Sequence, residues 1–170
     1  KLVKGINLEG LKVLGDPVNF SKNYYNDNVD EIILHDVVAS LYNRNNLSSL
    51  LKKLAKNIFI PLCVGGGIRN IKNINDCLIN GADKVSINTA AFKNKYLLNE
   101  AVKEFGSSTI SVSIETLKID GEFYTFTNNG RTPTNILLKN WIKFVQDQGV
   151  GEIIITSIRN EGLQKGFDWE

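Results

Sequence analysis

Short apolar runs alternate with amphipathic segments along most of the chain. The apolar runs have the length of a buried strand and are rich in Ile and Val. They cover 31–39, 59–64, 83–88, 108–115 and 151–158. In the amphipathic segments, apolar residues recur at the spacing of one helix face. These segments cover 16–27, 46–57, 70–81, 95–106 and 135–149. The pattern therefore predicts five strands and five helices in alternation.

Strand–helix alternation with apolar strands predicts a parallel sheet with helices packed outside it. Asp16 and Pro17 are typical of a helix start, and Gly81 is typical of a helix end. Asp120 and Gly121 predict a tight hairpin turn between two short strands. No linker or low-complexity tract interrupts the alternation. We therefore expect residues 1–170 to form a single α/β domain.

A weak internal repeat refines this α/β prediction. The segment "VDEIILHDV" resembles "VGEIIITSI", and Glu31 and Glu152 hold the same place in the two copies. Their separation of about 120 positions, doubled, is close to the ~250 residues typical of a (β/α)₈ barrel. On this interpretation the chain carries about strands 2–6 of an incomplete TIM barrel. We also expect both ends of the chain, Lys1 and Glu170, to be cut rather than natural.

Composition narrows the functional class. The 170 residues are 42% hydrophobic and 22% charged, with a net charge of +2 and interspersed signs. This balance does not indicate a nucleic-acid or membrane surface, and we find no membrane-spanning run or signal peptide. Cys63 and Cys77 are not spaced like a metal site. We expect a cytoplasmic enzyme or binding protein without a metal or cofactor.

The run "PLCVGGGIRN" contains three consecutive glycines, Gly65, Gly66 and Gly67, between a predicted strand and a predicted helix. Glycines at such a junction let the backbone approach a ligand closely. Free N–H groups near a helix start can then bind an anion. The alternative is a tight strand-to-helix connection without a ligand. The run alone does not decide between the two.

Charged residues open three alternate strands: Glu31, Lys84 and Glu152. Alternate strands of a barrel contribute one layer of inward side chains. These three residues therefore predict a ring of paired charges at one end of the barrel. His35 is the only histidine. Because it directly precedes Asp36, we expect the two side chains to face opposite sides of the sheet, with Asp36 inward and His35 packed against the helices.

Six motifs resemble the cyclase subunit of imidazole glycerol phosphate synthase in order and spacing. They are "KGINLEGLKVLGDP", "EIILHDVVAS", "IPLCVGGGIRN", "GADKVSINTAA", "IDGEFYTFTNNGR" and "GEIIITSIRNEG…GFD". The resemblance covers essentially the whole chain and implies a (βα)₈ barrel. It implies an enzyme that takes ammonia from a glutaminase partner and closes an imidazole ring on a bisphosphorylated, nucleotide-like substrate. The implied products are imidazole glycerol phosphate and an aminoimidazole carboxamide ribotide.

The resemblance also implies roles for individual residues. It assigns one substrate phosphate to Gly66, Gly67, Asn88 and Thr89, and half of a second phosphate site to Glu161 and Gly162. The alternative for Asn88 and Thr89 is a strand end with a helix N-cap.

The family's acid–base chemistry uses two aspartates, one of which the resemblance places before Lys1. The other corresponds to Glu115, and Asp36 corresponds to a further carboxylate near the site. The alternatives are a solvated strand-end carboxylate for Glu115 and a loop cap for Asp36.

At the opposite end of the barrel, Glu31, Lys84 and Glu152 correspond to a charged gate through which ammonia enters. Asp83 corresponds to a contact with the glutaminase. The alternative for the three gate residues is a structural salt-bridge layer.

Some positions depart from the family pattern. Glu115 replaces an aspartate, which moves the carboxylate outward by roughly 1.5 Å. The loops "RTPTN", stiffened by Pro133, and "SIRNEGL" also differ. These departures, with "SLYNRNN", keep two alternatives open. One is a homologous ammonia-using subunit in surface-polysaccharide sugar biosynthesis. The other is a non-catalytic phosphate-binding partner subunit.

Because an open barrel has exposed edges, we expect the isolated 170-residue chain to be inactive and aggregation-prone.

Overall fold

The computed structural model describes residues 1–39 and 47–168. The chain begins with an antiparallel pair of strands, β1 (Leu2–Ile6) and β2 (Glu9–Gly15), which form a small sheet of their own. Asn7 and Leu8 both adopt positive φ at the turn between them. The hydrophobic pattern did not predict this hairpin, because most side chains of β2 are exposed and do not alternate in burial.

Strands and helices then alternate much as predicted. The elements are α1 (Pro17–Asn26), β3 (Ile32–His35), α2 (Ser48–Ala55), β4 (Leu62–Gly65), α3 (Ile71–Ile79), β5 (Lys84–Ile87), α4 (Thr89–Lys93), α5 (Tyr96–Phe105), β6 (Ile110–Ile119), β7 (Glu122–Thr127), β8 (Thr132–Leu137), α6 (Leu138–Asp147) and β9 (Glu152–Ser157). A short 3₁₀ turn at Ser107–Thr109 leads into β6. The five predicted helices are present, and α4 is an additional short one.

Five parallel strands form the centre of the molecule in the order β3–β4–β5–β6–β9. This order, with helices in the connections, confirms the prediction of an α/β fold of incomplete TIM-barrel type. Within the described part of the chain the sheet does not close, and β3 and β9 lie at its two edges. The C-terminal ends of all five strands share one edge of the sheet, where barrel enzymes place their active sites.

A hairpin extends β6 beyond the parallel sheet. β6 pairs antiparallel with β7 through a two-residue turn at Asp120 and Gly121, both at positive φ, as the sequence predicted. The segment read as a loop around Pro133 instead forms most of β8, which pairs with β7. An edge strand tolerates proline, because no neighbour requires its missing N–H group.

The hydrophobic core lies between the sheet and the helices. Alternate strand residues such as Val64, Val85 and Val112 are fully buried there against the apolar faces of the helices. Trp141 of α6 is 2% exposed and stacks between Phe92 and Phe144, with ring centroids 3.8 Å and 5.0 Å away. The period-2 alternation therefore separates a helix-facing side of the sheet from a concave side.

The concave side carries the remaining residues of each strand, and most of them are polar or small. They include Cys63, Gly65, Lys84, Ser86, Ser111, Ser113, Glu115 and Glu152. His35 also lies on this side, so the expectation that it packs against the helices is wrong. Its neighbours Ile32 and Leu34 take the helix-facing positions. β3 ends at His35, and the chain then turns, so the orientation of Asp36 does not follow strand alternation.

Candidate functional site

A cavity of about 250 Å³ opens at the C-terminal ends of β3, β4, β5 and β6. The sequence-predicted residues that line it are Asp36, Gly66, Gly67, Asn88, Thr89 and Glu115. The fold therefore brings together residues from four successive strand ends that are distant in sequence. Both carboxylates and one complete set of the predicted phosphate residues lie in this one cavity.

The three glycines form the turn that leads from β4 toward α3. Gly66 and Gly67 have φ of +96° and +70°, which favour glycine over other residues. A Cβ on Gly66 would collide with the backbone of Asp36, whose N–H donates to the Gly65 carbonyl at 2.9 Å. The glycines are needed for this close approach of two loops. The turn therefore has a structural role as well as a place in the cavity wall.

Asn88 and Thr89 follow β5 at the same level of the cavity. Thr89 Oγ1 accepts a hydrogen bond from the backbone N–H of Asn128 at 3.2 Å. Asn88 precedes α4 but makes no side-chain capping hydrogen bond. Its Oδ1 atom is buried and has no partner in the described part of the chain. The capping alternative for Asn88 therefore does not account for its side chain.

Glu115 lies on β6, where the strand passes from the parallel sheet into the hairpin. Its Oε2 accepts a hydrogen bond from the backbone N–H of Gly130 at 2.9 Å. Burial raises the pKa of this carboxyl, and hydrogen bonds from Gly130 and Asn88, together with the Arg131 charge, offset part of the rise. Glu115 is therefore a partly desolvated, anchored acid, and the solvated-carboxylate alternative does not describe it.

Asp36 follows β3 and faces the same cavity. Its Oδ1 accepts a hydrogen bond from the backbone N–H of Val38 at 3.1 Å. This bond matches the loop-cap alternative, and it holds the carboxylate at the cavity wall. Asp36 thus combines a turn-stabilising contact with a position beside the glycine turn.

Two cations also line the cavity, Arg69 and Lys93. Arg69 Nη2 donates to the carbonyl of Ala39 at 3.0 Å, which ties the turn after β4 to the turn after β3. Neither cation was singled out from the sequence. Arg69 lies shortly after β4 in the chain and Lys93 ends α4, the short helix after β5, and these positions were the available signal. These two cationic side chains make the cavity suitable for an anionic ligand.

The remaining two predicted phosphate residues lie elsewhere. The carbonyl of Glu161 accepts a hydrogen bond from the N–H of Asn7 at 2.8 Å. A Cβ on Gly162 would collide with the carbonyl oxygen of Gly5. Neither residue lines the cavity, and both pack against the β1–β2 hairpin. Their role in a second phosphate site stays a prediction.

The predicted charge cluster forms at the opposite end of the strands. Lys84 Nζ lies 2.8 Å from Glu31 Oε2 and 3.3 Å from Glu152 Oε2. The hydrogen bond to Glu31, first among several causes, raises the pKa of Lys84. Glu31 Oε1 is buried without a partner in the described residues. Cys63 lies on the same side of the sheet, and burial raises the pKa of its thiol.

Asp83 lies beside this cluster but points to the outside. Its Oδ2 accepts a hydrogen bond from the N–H of Leu62 at 2.9 Å, and the residue is exposed. It borders a surface depression with Phe59, Pro61 and Gly81. Phe59 is 76% exposed.

No helix in residues 1–39 or 47–168 is long and apolar enough to cross a membrane. No cluster of three His, Cys, Asp or Glu residues in these ranges could hold a metal ion.

Comparison with known proteins gives a consistent result. The family of histidine biosynthesis proteins matches residues 1–170. A protein of Legionella pneumophila named imidazole glycerol phosphate synthase subunit HisF is 46% identical over 170 residues, covering 99% of this chain and 80% of that protein. Proteins of the same name from Thermotoga sp. (strain RQ2) and Campylobacter concisus (strain 13826) are each 42% identical. They cover all of this chain and 67% and 68% of those proteins.

Proposed function

Since the chain belongs to the family of histidine biosynthesis proteins, we propose that it is the cyclase-type subunit of an imidazole glycerol phosphate synthase. It would use ammonia from a glutaminase partner and a phosphoribulosyl nucleotide to form imidazole glycerol phosphate and aminoimidazole carboxamide ribotide. The observation that carries the proposal is the single cavity that combines the glycine turn and Asn88–Thr89 with Glu115. The cytoplasm is the compartment that we expect for this reaction.

Phosphate binding is the first step that the cavity supports. The turn at Gly66 and Gly67 has no side chains, so a phosphate oxygen can approach its N–H groups closely. The Asn88 amide, the Thr89 hydroxyl and the Lys93 ammonium add donors on the facing wall. A substrate held by one phosphate in this way would present its remaining atoms to Glu115 and Asp36.

Proton transfer is the second step. Partial desolvation raises the pKa of Glu115, which favours general acid–base work, and the Gly130 N–H fixes the carboxylate in place. Asp36 supplies a second carboxylate on the neighbouring wall. We infer that Glu115 moves the proton during ring closure and that Asp36 orients the substrate.

Ammonia supply is the third element of the proposal. The cluster of Lys84, Glu31 and Glu152 lies on the concave side, at the strand ends opposite the cavity. A molecule that enters there would pass along the concave side toward Glu115. The exposed depression around Phe59 and Asp83 lies at the same end, and we infer that the glutaminase binds there.

The two alternatives are not favoured. Five further relatives with 39–42% identity bear the same histidine-pathway name as the three described above. A non-catalytic phosphate-binding subunit would not need a buried acid such as Glu115. The surface-polysaccharide alternative rested on Glu115 and on loop residues, part of which (40–46) lie outside the described residues.

The proposal is tested by supplying ammonium at alkaline pH without a glutaminase and following consumption of the phosphoribulosyl nucleotide by the purified full-length protein. We expect turnover that depends on both substrates and yields both products. The control is the same assay without ammonium. Binding of the nucleotide without any turnover, at saturating ammonium, would instead support the phosphate-binding alternative.

Replacing Lys84 with methionine tests the charge cluster. Glu31 and Glu152 would lose their common cation, and we expect the free energy of unfolding to fall by about 1–3 kcal/mol because Glu31 is largely buried. If the cluster admits ammonia, glutamine-dependent turnover with the partner should fall much more than ammonium-dependent turnover. Lys139→Met, which breaks an exposed pair with Glu122, is the matched control. An equal fall in both activities would indicate a salt-bridge layer alone.

A further inference from the structure

The floor of the cavity contains a row of residues that pair in register across four strands. His35 of β3 pairs with Gly65 of β4, Gly65 pairs with Ser86 of β5, and Ser86 pairs with Ser111 of β6. The two serines are buried, and Gly65 has no side chain. His35 is exposed and lines the cavity. In this row, therefore, His35 alone presents a polar side chain that a ligand can contact.

The imidazole of His35 leans over Gly65. A Cβ on Gly65 would lie 2.5 Å from His35 Nε2, so the ring occupies space that only a glycine leaves open. Gly65 directly precedes Gly66 and Gly67, the turn to which we assign a phosphate. Because a strand rises ~3.3 Å per residue, the imidazole lies about one residue deeper in the cavity than this turn.

The chemistry of the imidazole selects the group that it binds. The ring makes no hydrogen bond within residues 1–39 and 47–168. The surrounding protein disfavours the imidazolium and lowers the pKa of His35, although the residue remains open to the cavity. A neutral imidazole has one donor and one acceptor nitrogen, and a hydroxyl group can pair with either. A hydroxyl therefore suits His35, whereas a phosphate is better matched by the charged donors Arg69 and Lys93.

A sugar phosphate carries both groups at a suitable separation. Its hydroxyls begin a few bonds from the phosphorus, which is comparable to the rise of one strand residue. A phosphate bound at Gly66 and Gly67 would therefore place a hydroxyl of the attached carbon chain within reach of the His35 ring. An alkyl phosphate of the same length would leave the ring without a partner.

We propose that His35 is a specificity-determining residue, which hydrogen-bonds a hydroxyl on the carbon chain attached to the phosphate at the glycine turn. The inference rests on the proposed function for the phosphate at that turn. His35 thereby selects a phosphorylated sugar over a phosphate ester without hydroxyls. It binds substrate in this arrangement and transfers no proton.

The test compares two phosphate esters that differ only in hydroxyl groups, glycerol 3-phosphate and propyl phosphate. Binding to the full-length protein at alkaline pH is followed by NMR through the backbone amide signals of Gly66 and Gly67, which line this cavity. We expect glycerol 3-phosphate to bind about tenfold more tightly, the usual effect of gaining one hydrogen bond. In His35→Leu the two dissociation constants should be equal. His35→Gln, which keeps a donor and an acceptor, should restore most of the difference.

Lys93→Met is the matched control. Lys93 lines the same cavity, but its ammonium is suited to the phosphate group that the two esters share. We expect this variant to weaken the binding of both esters to the same extent and to keep the tenfold difference. Equal binding of the two esters by the unmodified protein would overturn the inference. An undiminished preference in His35→Leu, even with both esters weakened, would also overturn it, because His35 would then not contact the hydroxyl.

A kinetic measurement separates this inference from the proposed function. In the ammonium-dependent assay, His35→Leu should raise the KM for the nucleotide about tenfold and leave kcat unchanged, because the lost contact contributes to binding only. Turnover by an unmodified protein that does not prefer glycerol 3-phosphate would overturn the role of His35 while the proposed function stands. A preference that depends on His35, in a protein without turnover, would overturn the proposed function while the role of His35 stands.

Discussion

Replacing Glu115 with glutamine should lower ammonium-dependent turnover by about 10²- to 10⁴-fold, the usual contribution of a positioned acid–base group. Glutamine has nearly the same size and can still accept the hydrogen bond from the Gly130 N–H. The variant should therefore bind the phosphorylated substrate normally and fail only in proton transfer. Steady-state kinetics should show a fall in kcat with little change in the KM for the nucleotide.

Glu115→Asp is the matched variant for the length of the side chain. It keeps the carboxylate but withdraws it by roughly 1.5 Å, which can change the rate by ~10²-fold when proton transfer depends on reach. Turnover by Glu115→Gln close to that of the unmodified protein would contradict an acid–base role. Glu115 would then be a structural residue of the hairpin junction.

The raised pKa of Glu115 also determines how stability depends on pH. The folded protein holds this proton more tightly than the unfolded chain, whose Glu has the ordinary value of 4.5. Above 4.5 the unfolded state releases the proton first, so the contribution of Glu115 to the free energy of unfolding falls as pH rises toward the folded pKa. Glu115→Gln removes this effect. The stability of the variant relative to the unmodified protein should therefore increase as pH rises from 4.5 toward the folded pKa of Glu115. Thermal unfolding of both proteins at acid and neutral pH measures the difference.

Replacing Gly66 with alanine should cost about 2–5 kcal/mol of stability and abolish phosphate binding at the glycine turn. An alanine at φ +96° is strained by about 1–2 kcal/mol. Its Cβ would also collide with the backbone of Asp36, which cannot move aside like a flexible side chain, and overpacking of this kind costs about 1–3 kcal/mol. Relief of the clash would displace the turn and its N–H groups from the phosphate.

Gly106→Ala is the matched control for Gly66→Ala. Gly106 has φ of +87°, yet a Cβ there would have nothing within 4 Å. It should show the conformational strain alone and leave phosphate binding intact. Urea unfolding gives the two stability changes, and inorganic phosphate protection against unfolding reports binding. Equal destabilisation by the two variants would show that contact with Asp36 does not constrain the turn.

The fold was predictable where local pattern and packing agree. The helices have apolar faces at helical spacing. The helix α1 begins at Pro17, directly after Asp16. The Asp16 side chain accepts hydrogen bonds from the backbone N–H groups of Val18 and Asn19, as expected for the predicted N-cap. β4, β5 and β6 were predicted because their helix-facing residues are strongly apolar. The hairpin at Asp120 and Gly121 follows from turn chemistry alone.

Elements outside that agreement were missed or misread. β1 and β2 bury few side chains and so lack a periodic signal. The β8 segment contains Pro133, and its pairing with β7 is a long-range contact that no local pattern reveals. α4 has five residues, too few to show a helical period.

Part of the candidate site was also predictable. The alternation of elements placed the glycine run, Asn88–Thr89 and the two carboxylates at strand ends, and the resemblance to the cyclase family predicted their roles. Lys84, Glu31 and Glu152 were predicted to meet because they open alternate strands. The distances from Lys84 Nζ to Glu31 Oε2 and Glu152 Oε2, 2.8 Å and 3.3 Å, depend on the strand register, which is seen only in the structure.

The sequence by itself determined the alternation of elements, the strand ends that carry polar residues and the family to which they correspond. Only the tertiary structure decided that Glu115 is anchored by Gly130, that Gly66 packs against Asp36, and that His35 faces Ser86 across Gly65. The physical reason is that side-chain direction near a strand end depends on where the strand stops and which residues the helices cover. Side-chain direction at these positions is set by packing between segments far apart in the chain, so it cannot be predicted from a local sequence pattern.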